Sequence, residues 1–314
     1  MFDGENYVHF SQGGLENQYH ITVLLGGTGE ERDVSLRSGK AVIQALQTLG
    51  HYVHRVDPQE PGWQLDSRTE VVFLALHGEY GEDGQVQERL EQEDVPYTGT
   101  GIRGSRVAFD KELTKHAFEK NDIPTPRWLM LNDASEPVPS ALAAPWVLKP
   151  ARQGSSVGLQ LVDDAGQWDA GLVAARKHDE RILCEERIIG REITVGILAN
   201  EALPIVEVSP KAGAYDYQNK YTVGATEYFC PADLSTELAE AIAKLGLKAF
   251  DAVGGRDFGR VDMMLDAELS PHVLEVNTLP GLTETSLLPM AAAAAGLDFN
   301  MLCLRMIELA LERN

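Results

Sequence analysis

Apolar positions along the chain follow two periods. The runs Ile21 to Leu25 and Val71 to Leu76 are almost continuously apolar, the pattern of strands covered on both faces of a sheet. Each ends in a Gly-rich turn, Gly26-Gly27 and His77 to Gly84, and helical spacing follows from about Ser38 to Leu49 and from Val86 to Leu90. Residues 21–104 are therefore expected to form an N-terminal open parallel α/β unit, whose ligands would sit beyond the carboxyl ends of the strands. Residues 1–20 read as a polar extension with no basic start and no apolar signal core. A helix predicted from about Ser105 to Lys120 ends before Pro124 and Pro126, which marks a hinge.

Beyond the hinge the texture is α+β. Strand-like runs at Trp146 to Lys149, Leu159 to Val162, Ile182 to Glu185 and Glu192 to Leu198, with one helical interruption, predict a largely antiparallel sheet. A long polar loop, 211–226, precedes a helix in which Leu234, Leu238, Ile242, Leu245 and Ala249 share a face. Two strands, Arg260 to Leu265 and His272 to Asn277, and a last helix from about Asn300 to Leu311 complete the pattern. The expected division is 21–104, 105–188 and 189–314.

Composition then narrows the chemistry. With 314 residues, 44% of them hydrophobic and 24% charged, the chain can bury a large core. Lys and Arg number 27 against 48 Asp and Glu, leaving a formal charge of −21 that repels nucleic acid and anionic membrane. Any phosphate ligand must be held by a few local cations. The three cysteines, Cys184, Cys230 and Cys303, are far apart and suggest neither a disulfide framework nor a thiolate metal site, which fits a reducing cytosol. No apolar run reaches the roughly 20 residues of a membrane span.

The most informative segments are Gly259-Arg260-Val261-Asp262 and Leu274-Glu275-Val276-Asn277. Strand alternation puts Arg260 with Asp262 on one face, and Glu275 with Asn277 on one face. Pairing of the two strands would gather three oxygen ligands and one guanidinium, a hard donor set suited to Mg²⁺. The alternative is a salt-bridged sheet face. Lys149-Pro150-Ala151-Arg152-Gln153-Gly154-Ser155-Ser156 reads either as a phosphate-cradling turn or as a plain surface loop. Gly99 to Gly104 matches GxGxxG but follows no strong strand, and is read as a chance match.

These segments, with the Glu31-Arg32-Asp33-Val34-Ser35 run, the HGxxGEDG loop at His77 to Gly84 and Lys220-Tyr221, occur in the order found in the ATP-grasp superfamily, and the chain resembles its D-alanine–D-alanine ligases from about residue 21 to 311. The resemblance implies three units with ATP sandwiched between the second and third, and synthesis of D-alanyl-D-alanine through a D-alanyl phosphate for peptidoglycan precursors. It implies ATP and two Mg²⁺ or Mn²⁺ ions on Asp262, Glu275 and Asn277. It places Lys111, Lys149, Ser156, Glu185 and Glu192 on ATP, with Glu185 at the adenine amino group and Glu192 at the ribose. Glu31 would receive the first D-alanine's ammonium, linked by Ser155 and Tyr221 to the mobile loop. Arg260 and the Gly281 N–H would stabilise the oxyanion. His77 would lie near the first substrate and Lys220 near the transferred phosphate, while Ser286 and Leu287 would hold the second substrate's carboxylate. Of these, Glu31 has an alternative as a helix-terminal carboxylate, His77 as a turn residue, and Glu185 and Glu192 as simple surface glutamates. A cytoplasmic homodimer is the family expectation.

Lys220-Tyr221 is the form that implies an amine nucleophile. The alternatives are a ligase using D-lactate or D-serine and a silent nucleotide-binding module. A dinucleotide oxidoreductase is disfavoured by the lack of spaced glycines in the first turn.

Overall fold

A computed structural model describes residues 18–133, 136–211, 225–283 and 285–313. The first sheet has three parallel strands in the order β2-β1-β3: β1 (His20–Leu24), β2 (Tyr52–Val56) and β3 (Val71–Leu74). β1 and β3 are almost wholly buried, which is why they read as apolar runs. The edge strand β2 carries Tyr52, His54 and Arg55 and had no such signature. Helix α1 (Arg32–Thr48) starts six residues before the periodicity suggested. Its buried face begins with Val34 and continues with Ser35, Ser38 and Gly39, small residues that hydropathy does not register. Ser35 is a latch: its hydroxyl accepts from the Gly26 N–H at 2.8 Å and donates to the Ala75 carbonyl at 2.6 Å. Helix α2 (Gln85–Gln92) follows the second Gly-rich turn.

The expected helix over 105–120 is two helices, α3 (Ile102–Phe109) and α4 (Lys111–Lys120). Asp110 breaks them apart in an extended conformation and caps α4, its Oδ1 accepting from the N–H groups of Glu112 and Leu113 at 3.0 and 3.2 Å. Lys111 thereby becomes the first residue of α4. The GxGxxG stretch leads into α3 as a packing device, since a side chain at Gly104 would meet the Gly254 carbonyl at 2.3 Å.

The second sheet is antiparallel, ordered β4-β7-β5-β6, from β4 (Trp128–Leu131), β5 (Trp146–Pro150), β6 (Gln160–Val162) and β7 (Ile182–Glu186), with α5 (Trp168–Ala175) against it. The third holds β11 (Thr226–Phe229), β10 (Val206–Pro210), β8 (Arg191–Leu198), β12 (Phe258–Leu265) and β13 (Pro271–Asn277) in that order, with the short β9 (Glu201–Ala202) beside β8. The run 192–198, which matches the preceding strands in texture, thus lies in a different sheet from them. Helix α6 (Thr236–Ala252) covers this sheet and shares its core with Ala108 of α3 and Phe118 of α4.

Two more helices follow, α7 (Leu287–Ala294) and α8 (Phe299–Leu311). Most of the run Ala291 to Ala295 lies in α7, with Ala291 and Ala292 fully buried. Leu302, Met306 and Ile307 of α8 return to the core of the first sheet, where they join Val42 and Leu46 of α1. Packing therefore crosses the expected sequence divisions: α3 and α4 lean on the third sheet, and α8 on the first unit.

Candidate active site

The β12–β13 ladder sets the site. Its antiparallel register puts Arg260 opposite Asn277 and Asp262 opposite Glu275, with an irregularity just after Asp262. Asp262 is the hub. Arg260 donates to both of its carboxylate oxygens at 2.8 Å, Thr194 Oγ1 on β8 donates to Oδ1 at 2.7 Å, and Asn277 Nδ2 donates to Oδ2 at 3.0 Å. Each opposed pair lines a cavity of its own. Asp262 and Glu275 line a cleft of about 470 Å³, whereas Arg260 and Asn277 line a pocket of about 80 Å³.

The larger cleft gathers every described residue expected on ATP: Lys111, Lys149, Ser156, Glu185 and Glu192. Lys111 Nζ donates to the Gln153 carbonyl at 2.6 Å, which holds it against the Gly-rich loop. Lys149 Nζ lies 2.7 Å from Glu185 Oε1, so contact with a phosphate would come from its other N–H donors or from a change of partner. Glu185 is 1% exposed. Burial opposes its ionisation, but the ammonium groups of Lys115 and Lys149 outweigh that and bring the carboxyl down to about 2. Oε1 nevertheless lacks a well-aligned hydrogen bond, leaving an acceptor aimed into the cleft. In the Gly-rich loop Ser155 and Ser156 adopt left-handed backbone at φ of 45° and 59°. Consecutive non-glycine residues in that region cost roughly 1–3 kcal/mol each, a strain typical of ligand-clamping loops.

The smaller pocket brings together Glu31, His77, Ser155, Arg260, Gly281, Ser286 and Leu287, residues from five separate segments of the sequence. Glu31 stands at the N-cap position of α1, yet makes no side-chain cap bond there. Its carboxylate accepts instead from the Ser155 hydroxyl. Two glycines make room for it: a side chain at Gly154 or Gly78 would lie 2.3 or 2.7 Å from Glu31 Oε2. His77 is a clamp as well as a wall. Its Nδ1 lies 3.0 Å from the Leu279 carbonyl, which can only accept, so Nδ1 carries the proton and Nε2 accepts from the Ser38 hydroxyl at 3.0 Å. Burial lowers the His77 pKa and keeps the ring neutral. Ser38 Oγ also accepts from the Leu282 N–H at 3.2 Å, so this chain of bonds ties the 279–282 segment, with Gly281, to the first unit.

Ser286 and Leu287 lie at the N-terminus of α7, an element the sequence reading lacked. The first N–H groups of a helix have no intrahelical partner and favour an anion, which gives a physical basis for a carboxylate there. The Ser286 hydroxyl accepts from the Thr283 N–H at 2.9 Å and packs against Gly281.

Sequence reasoning passed over one residue. Glu82, in the HGxxGEDG loop, lines the small pocket and accepts from the Gly78 N–H at 2.7 Å and the Leu279 N–H at 3.3 Å. Burial, reinforced by the charge of Glu31, pushes its carboxyl up to about 8. A carboxylate between glycines was the available signal. Lys220 and Tyr221 lie outside the described residues.

Two family models match, "D-ala D-ala ligase N-terminus" over residues 55–100 and "D-ala D-ala ligase C-terminus" over 117–308. The chain belongs to the D-ala D-ala ligase family. Among its relatives, the D-alanine–D-alanine ligase of Methylacidiphilum infernorum is 44% identical, covering 93% of this chain and 95% of that protein. The Syntrophotalea carbinolica ligase is also 44% identical, over 92% and 95%. The crystal structure of the Bacillus anthracis D-alanine–D-alanine ligase complexed with ATP matches with a TM-score of 0.83 at 33% identity, covering 95% of this chain and 98% of that one. The family's ATP-grasp fold, its parallel first sheet and antiparallel second and third sheets, is thus the fold of this chain.

Proposed function

We infer that this site carries out ATP-dependent ligation of two D-alanines to D-alanyl-D-alanine, a peptidoglycan precursor. The observation that carries the reading is the β12–β13 ladder, where one opposed pair lines a nucleotide-sized cleft and the next pair along lines a pocket for a small amino acid. A carboxylate held in the small pocket meets a phosphate donor in the cleft at this boundary.

In the first step a carboxylate oxygen of D-alanine attacks the γ-phosphorus of ATP, and the bond to the β-phosphate oxygen breaks to release ADP. Positioning and charge neutralisation dominate such a transfer. We assign Lys111, Lys149 and Ser156 to the phosphates, Glu185 to the adenine amino group and Glu192 to the ribose. The buried Glu185 Oε1 suits the amino group because it lacks an aligned donor. Glu31, oriented by Ser155, takes the substrate ammonium. In the second step the amine of the other D-alanine attacks the acyl carbon, and the C–O bond to phosphate breaks with the electron pair leaving on phosphate. Arg260 and the Gly281 N–H are placed here as donors to the oxyanion, and Ser286 with Leu287 as the carboxylate anchor. Lys220 and Tyr221 complete the proposed set from the 211–226 loop, which would exclude water from a hydrolysable acyl phosphate.

Two Mg²⁺ or Mn²⁺ ions are part of the proposal. Asp262 and Glu275 in the cleft and Asn277 in the adjoining pocket offer only oxygen-type donors where the two cavities meet, and among the described residues no three His, Cys, Asp or Glu side chains form a ready metal cage. That donor set suits Mg²⁺, which is held by one or two carboxylates together with substrate phosphates. The ions would neutralise phosphate charge during transfer. A cytoplasmic homodimer is likewise proposed. The free, largely buried cysteines fit a reducing compartment, and among the described residues no single helix is long and apolar enough to cross a membrane. The divisions 21–104, 105–188 and 189–314 are kept as functional units, each centred on one sheet.

Incubation with ATP, Mg²⁺ and D-alanine, following phosphate release and identifying the product by mass, tests the reading. Parallel reactions with D-lactate, D-serine and L-alanine fix the nucleophile. One dipeptide per phosphate is expected; phosphate release without dipeptide would exclude the amine nucleophile.

A further inference from the structure

Lys115 lies one helical turn beyond Lys111 on α4, on the same side of the helix, yet it does not reach the cleft. Its side chain is 1% exposed, with Nζ 3.1 Å from Glu185 Oε2 and 2.5 Å from Thr125 Oγ1. The Thr125 hydroxyl passes its own proton to the Val273 carbonyl of β13 at 2.7 Å, so its lone pair faces the ammonium. Lys115 thus stands behind Glu185, anchored on the third sheet, while Glu185 faces the cleft.

A buried ion pair is a poor source of stability, because desolvation offsets most of its attraction. Its presence is intelligible where a carboxylate must stay ionised in one place. Glu185 divides its oxygens: Oε2 belongs to Lys115, while Oε1 is approached, among the described residues, by the ammonium of Lys149, a cleft-wall residue that the nucleotide phosphates would attract. Once Lys149 turns to phosphate, Lys115 is the cation that remains beside Glu185. Without it, a carboxylate buried in the cleft wall would take up a proton or move.

We propose that Lys115 is a positioning residue for base selection: its buried ammonium holds Glu185 as a fixed, ionised acceptor for the exocyclic amino group of adenine, and frees Lys149 to exchange Glu185 for phosphate. The proposal rests on the assignment of Glu185 to that amino group. An adenine donates there, whereas a 6-oxo purine presents a second acceptor to the carboxylate and is rejected.

The test compares ATP with inosine triphosphate in steady-state ligation. Lys115→Met keeps the length and removes the charge. Its KM for ATP is expected to rise about tenfold with kcat nearly unchanged, and its preference for ATP over inosine triphosphate to fall about tenfold, the scale of one charge-assisted hydrogen bond. Thr125→Val, which removes only the anchor of Lys115, should shift both in the same direction by less, and it decides the matter if Lys115→Met does not fold. Glu185→Gln separates the two levels of the argument. If it leaves the preference intact, Glu185 does not read the base, and the role of Lys115 falls with it. If Glu185→Gln abolishes the preference while Lys115→Met or Thr125→Val leaves KM and preference unchanged, Lys115 is only structural and the proposal is overturned.

Discussion

The Ser155 hydroxyl donates to the Glu31 carboxylate, joining the loop after β5 to the first turn of α1. One residue comes from the second sheet's loop and the other from the first unit, so the contact forms only when both are docked. Ser155→Ala should lower kcat/KM for D-alanine roughly tenfold, and Glu31→Gln roughly 100-fold, because the latter also removes the charge that meets an ammonium. Initial rates with D-alanine varied at saturating ATP measure both. Wild-type kcat/KM in Glu31→Gln would move the ammonium site elsewhere.

The glycines around Glu31 make a separate point about space. A methyl group at Gly154 would stand 2.3 Å from Glu31 Oε2, and Gly78, at φ of +68°, would add backbone strain to a 2.7 Å contact. Gly154→Ala is expected to displace the carboxylate and cost roughly 10- to 100-fold in D-alanine turnover, the penalty of a misplaced contact. ATP affinity, read by calorimetry without D-alanine, should change less, since Gly154 itself lines the smaller pocket while its neighbours Gln153 and Ser156 line the cleft.

Glu82 gives the fold a pH dependence of known sign. Its carboxyl is raised from 4.5 to about 8 in the native state, so the folded chain keeps a proton that the unfolded chain releases. The associated stability is complete below about pH 4.5 and is lost as pH rises through about 8. Glu82→Gln should flatten that decline. Thermal unfolding of the two proteins at pH 5 and pH 8 checks this, at roughly 2–4 °C of Tm for each kcal/mol. Parallel slopes would mean that Glu82 is ionised in the fold.

Metal removal bears on the cleft. Chelation should abolish ligation, and Glu275→Gln should lower it roughly 1000-fold at saturating Mg²⁺, in line with the several kcal/mol a metal contributes to phosphoryl transfer. Asp262→Asn is expected to do so while also loosening Arg260, whose guanidinium is held by both Asp262 oxygens. Full turnover in excess chelator would exclude the metal.

The sequence by itself determined the local order of this protein. Alternation on β12 and β13 placed Arg260 and Asp262 on one face and Glu275 and Asn277 on one face, and the register then opposed them pair by pair. Continuous apolar runs marked β1 and β3 because both are buried on two sides. Motif order supplied the family. The tertiary structure decided what depends on neighbours distant in the chain. Strand β2 hid because an edge strand tolerates polar residues, and the early part of α1 because Val34 is followed on its buried face by Ser35, Ser38 and Gly39. The break at Asp110 is a capping event that periodicity cannot register. Glu82 and Lys115 were ordinary charged residues until folding half-buried the one and took the other out of water. Burial and the partners that accompany it are properties of the packed chain, and they turn one into a protonated clamp and the other into a buried counter-ion.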